Sequence, residues 1–129
     1  MVSLIDTNVI IRFLVGDHAE HLVKSKTIFQ QIQDNTLQVE ILSEVLMEVL
    51  FVVTKRYKVP KDVVIEKLKS ILLLEGVVNH DKMILIHTLY MVEDKNIDFV
   101  DALICTKSKM QNYGKISFDK DVINKCERR

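Results

Sequence analysis

The sequence predicts an α/β protein, a three-layer α/β/α sandwich in which helices cover both faces of a central parallel sheet of four or five strands. Short apolar runs alternate with longer stretches of helical periodicity, which is typical of parallel sheets covered by helices. Three Gly and one Pro in 129 residues are too few for a turn-rich all-β fold. The length predicts a single domain, residues 1–129.

Turn and capping residues separate the predicted elements of the first half. Residues 37–41 alternate between apolar and polar side chains, as a half-buried strand does. Gly16 ends the first helix, Ser43 is a natural N-cap, and Pro60 suits the first turn of a helix. The predicted elements are a strand at 2–5, a helix near 8–14, a helix at 18–33, a strand at 37–41, a helix at 43–57 and a helix at 61–74.

The second half continues the alternation of strands and helices. Gly76 is predicted to cap the preceding helix, and Gly114 to end the helix that begins at Asp98. The predicted elements are a strand at 77–78, a helix at 81–94, a helix at 98–112, a strand at 115–118 and a last helical turn at 121–126. Right-handed crossovers would place the carboxyl ends of all these strands along one edge of the sheet.

Composition excludes several classes of protein. Eighteen basic residues balance eighteen acidic ones, so no global positive field is available to capture nucleic acid, and basic runs such as residues 55–58 are predicted to be solvated helix ends. Cys105 and Cys126 fit no zinc spacing, and reduced thiols with Cys105 in the core favour a cytoplasmic protein. No apolar run approaches the length of a membrane span, and the first residues do not show the basic segment followed by a continuous apolar stretch that predicts a secretory signal.

Acidic residues occur where the predicted strands end. Asp6 follows the first strand, Glu44 begins the helix after the second, and Asp119 follows the fourth, while Asp98 and Asp101 lie in the first turn of a helix. Helix capping explains each residue taken singly, but not their occurrence on one edge. Two carboxylates about 4 Å apart repel by roughly 4 kcal/mol at an effective dielectric near 20. A shared cation would relieve this repulsion, and all-oxygen ligands favour Mg²⁺ or Mn²⁺.

Four segments resemble PIN-domain nucleases, and most closely the VapC-type toxin ribonucleases of toxin–antitoxin pairs. They are LIDTNVIIRFLVGD at 4–17, LSEVLMEVLFVV at 42–53, IDFVDALI at 97–104 and ISFDKD at 116–121. The resemblance covers nearly the whole chain. It implies an endonuclease that cleaves RNA with Mg²⁺ or Mn²⁺. In-line attack by a metal-activated water predicts products with a 5′-phosphate and a 3′-hydroxyl.

The resemblance also implies roles for individual residues. The catalytic and metal-binding quartet would be Asp6, Glu44, Asp101 and Asp119. Polar residues near this quartet would orient the acids or hold water, and they are Thr7, Asn8, Asp98, Ser117 and Asp121. Arg12 and Lys120 are the candidates to position the RNA backbone.

Two further partners are predicted besides RNA. The helices at 43–57 and 61–74 carry more apolar surface than one sheet face requires, which favours a homodimer, and the resemblance implies a cognate antitoxin. Two alternatives remain open. One is a PIN-fold domain that binds RNA without cutting it. The other is a receiver-like metal-binding module, which fits less well because Glu44 begins a helix and does not end a central strand.

Overall fold

The computed structural model describes residues 1–127, and the side chain of Asp121 lies outside that description. The chain forms two compact units, Met1–His80 and a second unit that begins at Asp81. Within residues 1–127, no helix is both long and apolar enough to cross a membrane.

The first unit joins four helices to a short parallel ladder. Its elements are β1 (Ser3–Leu4), α1 (Thr7–Val15), α2 (Ala19–Gln33), β2 (Val39–Glu40), α3 (Ser43–Lys55) and α4 (Lys61–Leu72). β1 and β2 are parallel, with Ser3 opposite Val39 and Leu4 opposite Glu40. The core is formed by fully buried aliphatic side chains, among them Ile10, Ile32, Ile41, Leu46 and Leu68.

Beyond Val39, the side chain of Asn79 takes over the pairing with β2 that a third strand would otherwise provide. Val77 forms an isolated parallel bridge to Val39. The buried Asn79 amide then binds both backbone groups of Ile41, accepting from its N–H at 2.8 Å and donating to its carbonyl at 2.7 Å. These two bonds satisfy backbone groups that a third strand would otherwise pair.

Gly76 allows the chain to pass close to the end of α2. A Cβ atom at this position would lie 2.5 Å from the carbonyl oxygen of Ile32 and closer still to that of Leu37. Both neighbours are backbone atoms that cannot rotate away, so only glycine fits here.

The second unit is helical. Its elements are α5 (Lys82–Lys95), α6 (Phe99–Gln111), α7 (Lys120–Ile123) and a single 3₁₀ turn at Lys125–Glu127. α5 and α6 pack against each other. A disulfide between Cys105 and Cys126, both fully buried, ties α6 to the 3₁₀ turn.

The predicted sandwich with a central sheet of four or five strands is wrong, because the chain is mostly helical and its sheet has two strands among the described residues. The predicted third strand is reduced to the single bridge at Val77. Residues 115–118 are irregular, and both Ile116 and Phe118 are fully exposed. An alternating run becomes a strand only when one of its faces is buried against a core, and this run buries neither apolar side chain.

Three local predictions also need correction. Ser43 is the first residue of α3, and the N-cap is Leu42. α4 ends at Leu72, so Gly76 does not cap it. The cysteines are paired and not reduced, although Cys105 lies in the core as predicted.

Candidate functional site

Asp6 caps the helix that follows the first strand. Its backbone is extended (φ −84°, ψ 152°), and its Oδ1 accepts a hydrogen bond from the Thr7 N–H at 2.8 Å. This is N-cap geometry, and helix capping was the role predicted for Asp6 when it was considered singly. One oxygen is thereby fixed at the N-terminus of α1, and the exposed side chain keeps the other oxygen accessible to a ligand.

Glu44 lies in the first turn of α3, on the helix after the second strand. Its Oε1 accepts a hydrogen bond from the Ser43 hydroxyl at 2.9 Å, and the side chain is exposed. A hydrogen bond to its own backbone N–H, together with that from Ser43, lowers the pKa of Glu44 below its ordinary value. Both bonds stabilise the ionised carboxylate, which is the form that binds a cation.

Asp6 and Glu44 share one edge of the parallel ladder. Asp6 is two residues beyond Leu4, and Glu44 is four residues beyond Glu40, the residue paired with Leu4. Both acids therefore follow the carboxyl ends of neighbouring parallel strands, where α/β proteins bind ligands. Asn79 fixes the backbone of Ile41, three residues before Glu44.

The second unit places its own acidic residues around the start of α6 and before α7. Asp98 is the N-cap residue of α6 (φ −64°, ψ 155°), and Asp101 is half-buried in its first turn. Asp119 is exposed, and its N–H donates to the Ser117 hydroxyl at 2.9 Å. The predicted position of Asp119 after a fourth strand is wrong, because residues 115–118 form no strand.

The donor chemistry of these residues fits a hard divalent cation, because each acid offers only carboxylate oxygens. Within residues 1–127, however, no group of three or more His, Cys, Asp or Glu side chains is gathered closely enough to hold a metal ion. Asp6 and Glu44 belong to the first unit, and Asp98, Asp101 and Asp119 belong to the second. Asp121 lies in α7, and its side chain is outside the described part of the chain.

The remaining predicted residues divide between core and surface. Thr7 is buried, whereas Asn8 is exposed. Arg12 is half-buried, and its guanidinium forms an ion pair with Asp17 at 3.3 Å. Lys120 is exposed at the start of α7.

Sequence reasoning missed a groove between α1 and α3, which we call the α1–α3 groove. It has a volume of about 540 Å³ and is lined by Asn8, Ile11, Arg12, Glu48, Phe51, Val52, Arg56 and Tyr57. The available signal was a spacing of four residues, which places Glu48, Val52 and Arg56 on one face of α3. Because most side chains of α3 are apolar, the sequence predicts a buried helix and not an exposed groove.

Comparison with known proteins gives one match. The family model described as the PIN domain matches residues 3–127, a range that includes both units. Neither the curated proteins nor the solved structures yield a match.

Proposed function

Because this chain belongs to the PIN domain family, whose members are generally nucleases, we propose that it is a metal-dependent endoribonuclease. Its substrate would be RNA, its cofactor Mg²⁺ or Mn²⁺, and its cellular role that of the toxin in a type II toxin–antitoxin pair in the cytoplasm. The observation that carries the proposal is the family match, which spans 3–127 and so includes every acid of the predicted quartet.

The proposed ligand set combines acids from both units. Asp6 and Glu44 would supply oxygens from the first unit, and Asp101 and Asp119 from the second. Two facts support the contribution of the first unit: Asp6 and Glu44 follow neighbouring parallel strands, and the pKa of Glu44 is lowered by its hydrogen bonds. Both residues are exposed and can be approached by a phosphate.

A divalent ion in such a site supplies an acidified water and neutralises charge on the phosphate. The chain's own residues have separate tasks. The Thr7 N–H orients Asp6, and the Ser43 hydroxyl orients Glu44 and, after the backbone N–H of Glu44 itself, lowers the pKa of that carboxyl. Arg12 would hold a neighbouring phosphate of the substrate, because guanidinium groups bind phosphate oxygens through paired N–H donors. Attack by water would leave a 5′-phosphate and a 3′-hydroxyl.

Cleavage of a mixed RNA substrate by the purified chain tests the proposal. We expect activity with Mn²⁺ or Mg²⁺ and none with EDTA. Asp6→Asn and Asp101→Asn should each lose at least a hundredfold in rate, and thermal melting should show that both variants are folded. Asp62→Asn, an exposed acid in the first turn of α4, is the matched control and should cleave normally. Undiminished cleavage by either site variant would contradict the proposed site.

A second candidate is a PIN domain that binds RNA without cutting it. The family match supports it as well, because the match identifies the domain and not its activity. The two functions differ in a simple assay. The non-cleaving domain would bind RNA equally with Mn²⁺ or with EDTA and would generate no new 3′-hydroxyl ends under either condition.

The proposal includes a homodimer and an antitoxin as protein partners. Most apolar side chains of α3 and α4 are buried within the first unit, including Leu46, Val49 and Leu68. The apolar surface left for a second copy is therefore smaller than the sequence predicts. Its exposed residues are Met47, Phe51, Val63 and, directly after α4, Leu73. Sedimentation equilibrium of the isolated chain tests the dimer, and a monomer at micromolar concentration would refute it.

A further inference from the structure

The disulfide joins two parts of the second unit that each carry an acid of the predicted quartet. Cys105 lies four residues beyond Asp101, so the two residues share one face of α6. Cys126 and Asp119 both lie in residues 113–127, which follow α6 and which we call the 113–127 segment. The S–S bond therefore ties the segment that carries Asp119 to the helix that carries Asp101.

The 113–127 segment has few buried side chains besides the disulfide. Among its described side chains, Val122 and Cys126 are buried, and the others are half-buried or exposed. Both sulfurs lie against the carbonyl oxygen of Val122, that of Cys126 at 3.2 Å and that of Cys105 at 3.7 Å. The disulfide is thus at the centre of the contact between this segment and α6. A segment with so little buried surface opens locally at low cost once the cross-link is broken.

A lysine side chain lies beside one of the two sulfurs. The Nζ of Lys115 is 3.2 Å from the Sγ of Cys126, and it also pairs with the Glu127 carboxylate at 2.6 Å. The Lys115 side chain is only 15% exposed, so water screens its charge little. A positive charge next to a sulfur stabilises the thiolate form. Because the sulfur released in thiol–disulfide exchange leaves as a thiolate, Cys126 is the favoured leaving group and Cys105 the sulfur that is attacked.

We propose that Cys105 and Cys126 form a thiol–disulfide switch that controls the nuclease site. The oxidised pair holds the 113–127 segment on α6, and reduction releases this segment together with Asp119. The proposal rests on the proposed function, which assigns the chain to the cytoplasm and Asp119 to the ion-binding site. Disulfides in cytoplasmic proteins are usually transient and act in catalysis or redox sensing, because glutathione and protein dithiols reduce them.

The switching step is an exchange with a dithiol. A thiolate of the dithiol attacks the Sγ of Cys105, and the electron pair of the S–S bond leaves with the Sγ of Cys126. The second thiol of the dithiol then attacks the mixed disulfide and releases Cys105 as a thiolate. In total the dithiol loses two electrons and two protons and becomes a disulfide, while the two cysteines gain them and become thiols. Exchange with oxidised glutathione reverses the reaction.

Hydrogen exchange of the full chain, first oxidised and then reduced with dithiothreitol, tests the switch without requiring cleavage. Backbone amides of residues 119–127 should exchange about tenfold faster in the reduced chain, whereas those of α2 in the first unit should exchange as before. Oxidised glutathione should restore slow exchange once the dithiothreitol has been removed. Cleavage of RNA with Mn²⁺, measured on the reduced chain after anaerobic removal of dithiothreitol, should be slower than cleavage by the oxidised chain.

Variants separate the bond from its surroundings. Cys105→Ser and Cys126→Ser cannot form the bond, so both should match the reduced wild type and should not respond to dithiothreitol. Lys115→Gln should slow reduction by dithiothreitol about threefold, because the leaving thiolate loses its neighbouring cation. Lys107→Gln removes an exposed lysine of α6 and, as the matched control, should be reduced at the wild-type rate. Glu127→Gln breaks the ion pair but keeps the ammonium group, so it should not slow reduction.

Two results would overturn the proposal. One is unchanged exchange at residues 119–127 after reduction has been verified by alkylation and mass spectrometry. The other is EDTA-sensitive cleavage at the same rate in both redox states, which refutes the switch but not the nuclease. Redox-dependent exchange in a chain that cleaves no RNA refutes only the nuclease. Where a serine variant does not fold, the reduced wild type provides the same comparison.

Discussion

Two side chains contribute to the lowered pKa and to the position of Glu44. The Ser43 hydroxyl donates to its carboxylate, and the Asn79 amide holds the backbone of Ile41 three residues earlier. Neither role could be read from the sequence, in which Ser43 resembles an N-cap and Asn79 a loop residue. The bonds of Asn79 depend on where the fold places two segments 38 residues apart, whereas Ser43 bonds to the side chain of the next residue.

Ser43→Ala should raise the pKa of Glu44 toward its ordinary value, because one of the bonds that stabilise the carboxylate is lost. In the wild type the pKa is lowered in the folded state, so ionised Glu44 contributes stability above its unfolded pKa and loses it as pH falls through the folded pKa. The variant should show a smaller contribution and weaker Mn²⁺ binding on the acid side. Carbon-13 NMR titration of the Glu44 carboxyl measures the shift.

Glu127 provides an internal reference for that titration. Its pKa is lowered by a hydrogen bond and a charge interaction with Lys115, which Ser43→Ala does not touch. Ser70→Ala, which removes an exposed hydroxyl from α4, should leave both titrations unchanged. An unaltered Glu44 titration in Ser43→Ala would show that its own backbone N–H alone lowers the pKa.

Asn79→Ala should destabilise the chain by about 3 kcal/mol, because it leaves a buried N–H and a buried carbonyl of Ile41 without their side-chain partner. Urea denaturation measures the loss, with the exposed Gln31→Ala as control. Asn79→Asp keeps the acceptor for the Ile41 N–H but turns an oxygen toward its carbonyl, so it should not rescue stability. A loss under about 0.5 kcal/mol would mean that water replaces the amide.

At the scale of elements, the helices were predicted better than the strands: the strands predicted at 2–5 and 37–41 contain β1 and β2, but those predicted at 77–78 and 115–118 did not form. The predicted helices at 18–33 and 61–74 match α2 and α4 to within two residues, because capping residues and apolar periodicity are local signals. A strand forms only where it can pair with a neighbouring strand, and an alternating run of residues does not by itself determine whether that partner is present. Residues 37–41 contain β2, which pairs with β1 and with Val77. Residues 115–118 also alternate between polar and apolar side chains, but they form no ladder.

The disulfide is an element-scale feature with a measurable contribution. Cys105 on α6 and Cys126 in the 3₁₀ turn are separated by 21 residues. Closing a loop of this length stabilises the folded state by about 3 kcal/mol in the chain-entropy estimate. Cys126→Ser should therefore lower the free energy of unfolding by up to this amount, and dithiothreitol should do the same to the wild type but not to the variant.

Urea denaturation with and without dithiothreitol measures this difference, and mass spectrometry after alkylation reports the pairing. Cys105→Ser serves as the reciprocal variant and should behave like Cys126→Ser under oxidising conditions. Equal stability of the wild type in the two redox conditions, with the pairing verified, would contradict a stabilising role for the bond.

At the scale of the whole molecule, the predicted quartet draws on both units. The sequence indicated correctly which elements carry three of the four acids: Asp6 follows β1, Glu44 lies in the first turn of α3, and Asp101 lies in the first turn of α6. Their convergence follows from the sheet only if the sheet extends to residues 115–118, and it does not. The sheet therefore does not determine whether these acids bind a common ion. The effect of the ion on the free energy of unfolding can test it.

If one ion binds acids of both units, Mn²⁺ should stabilise the chain, and the effect should depend on each unit. At a hundred times its Kd, an ion that binds only the folded state adds about 2.7 kcal/mol, which raises the melting temperature by several degrees. Asp6→Asn and Asp101→Asn should each abolish most of this shift, whereas Asp62→Asn should retain it. If the shift survives in Asp101→Asn but disappears in Asp6→Asn, the first unit binds the ion without the second, and the shared site is excluded.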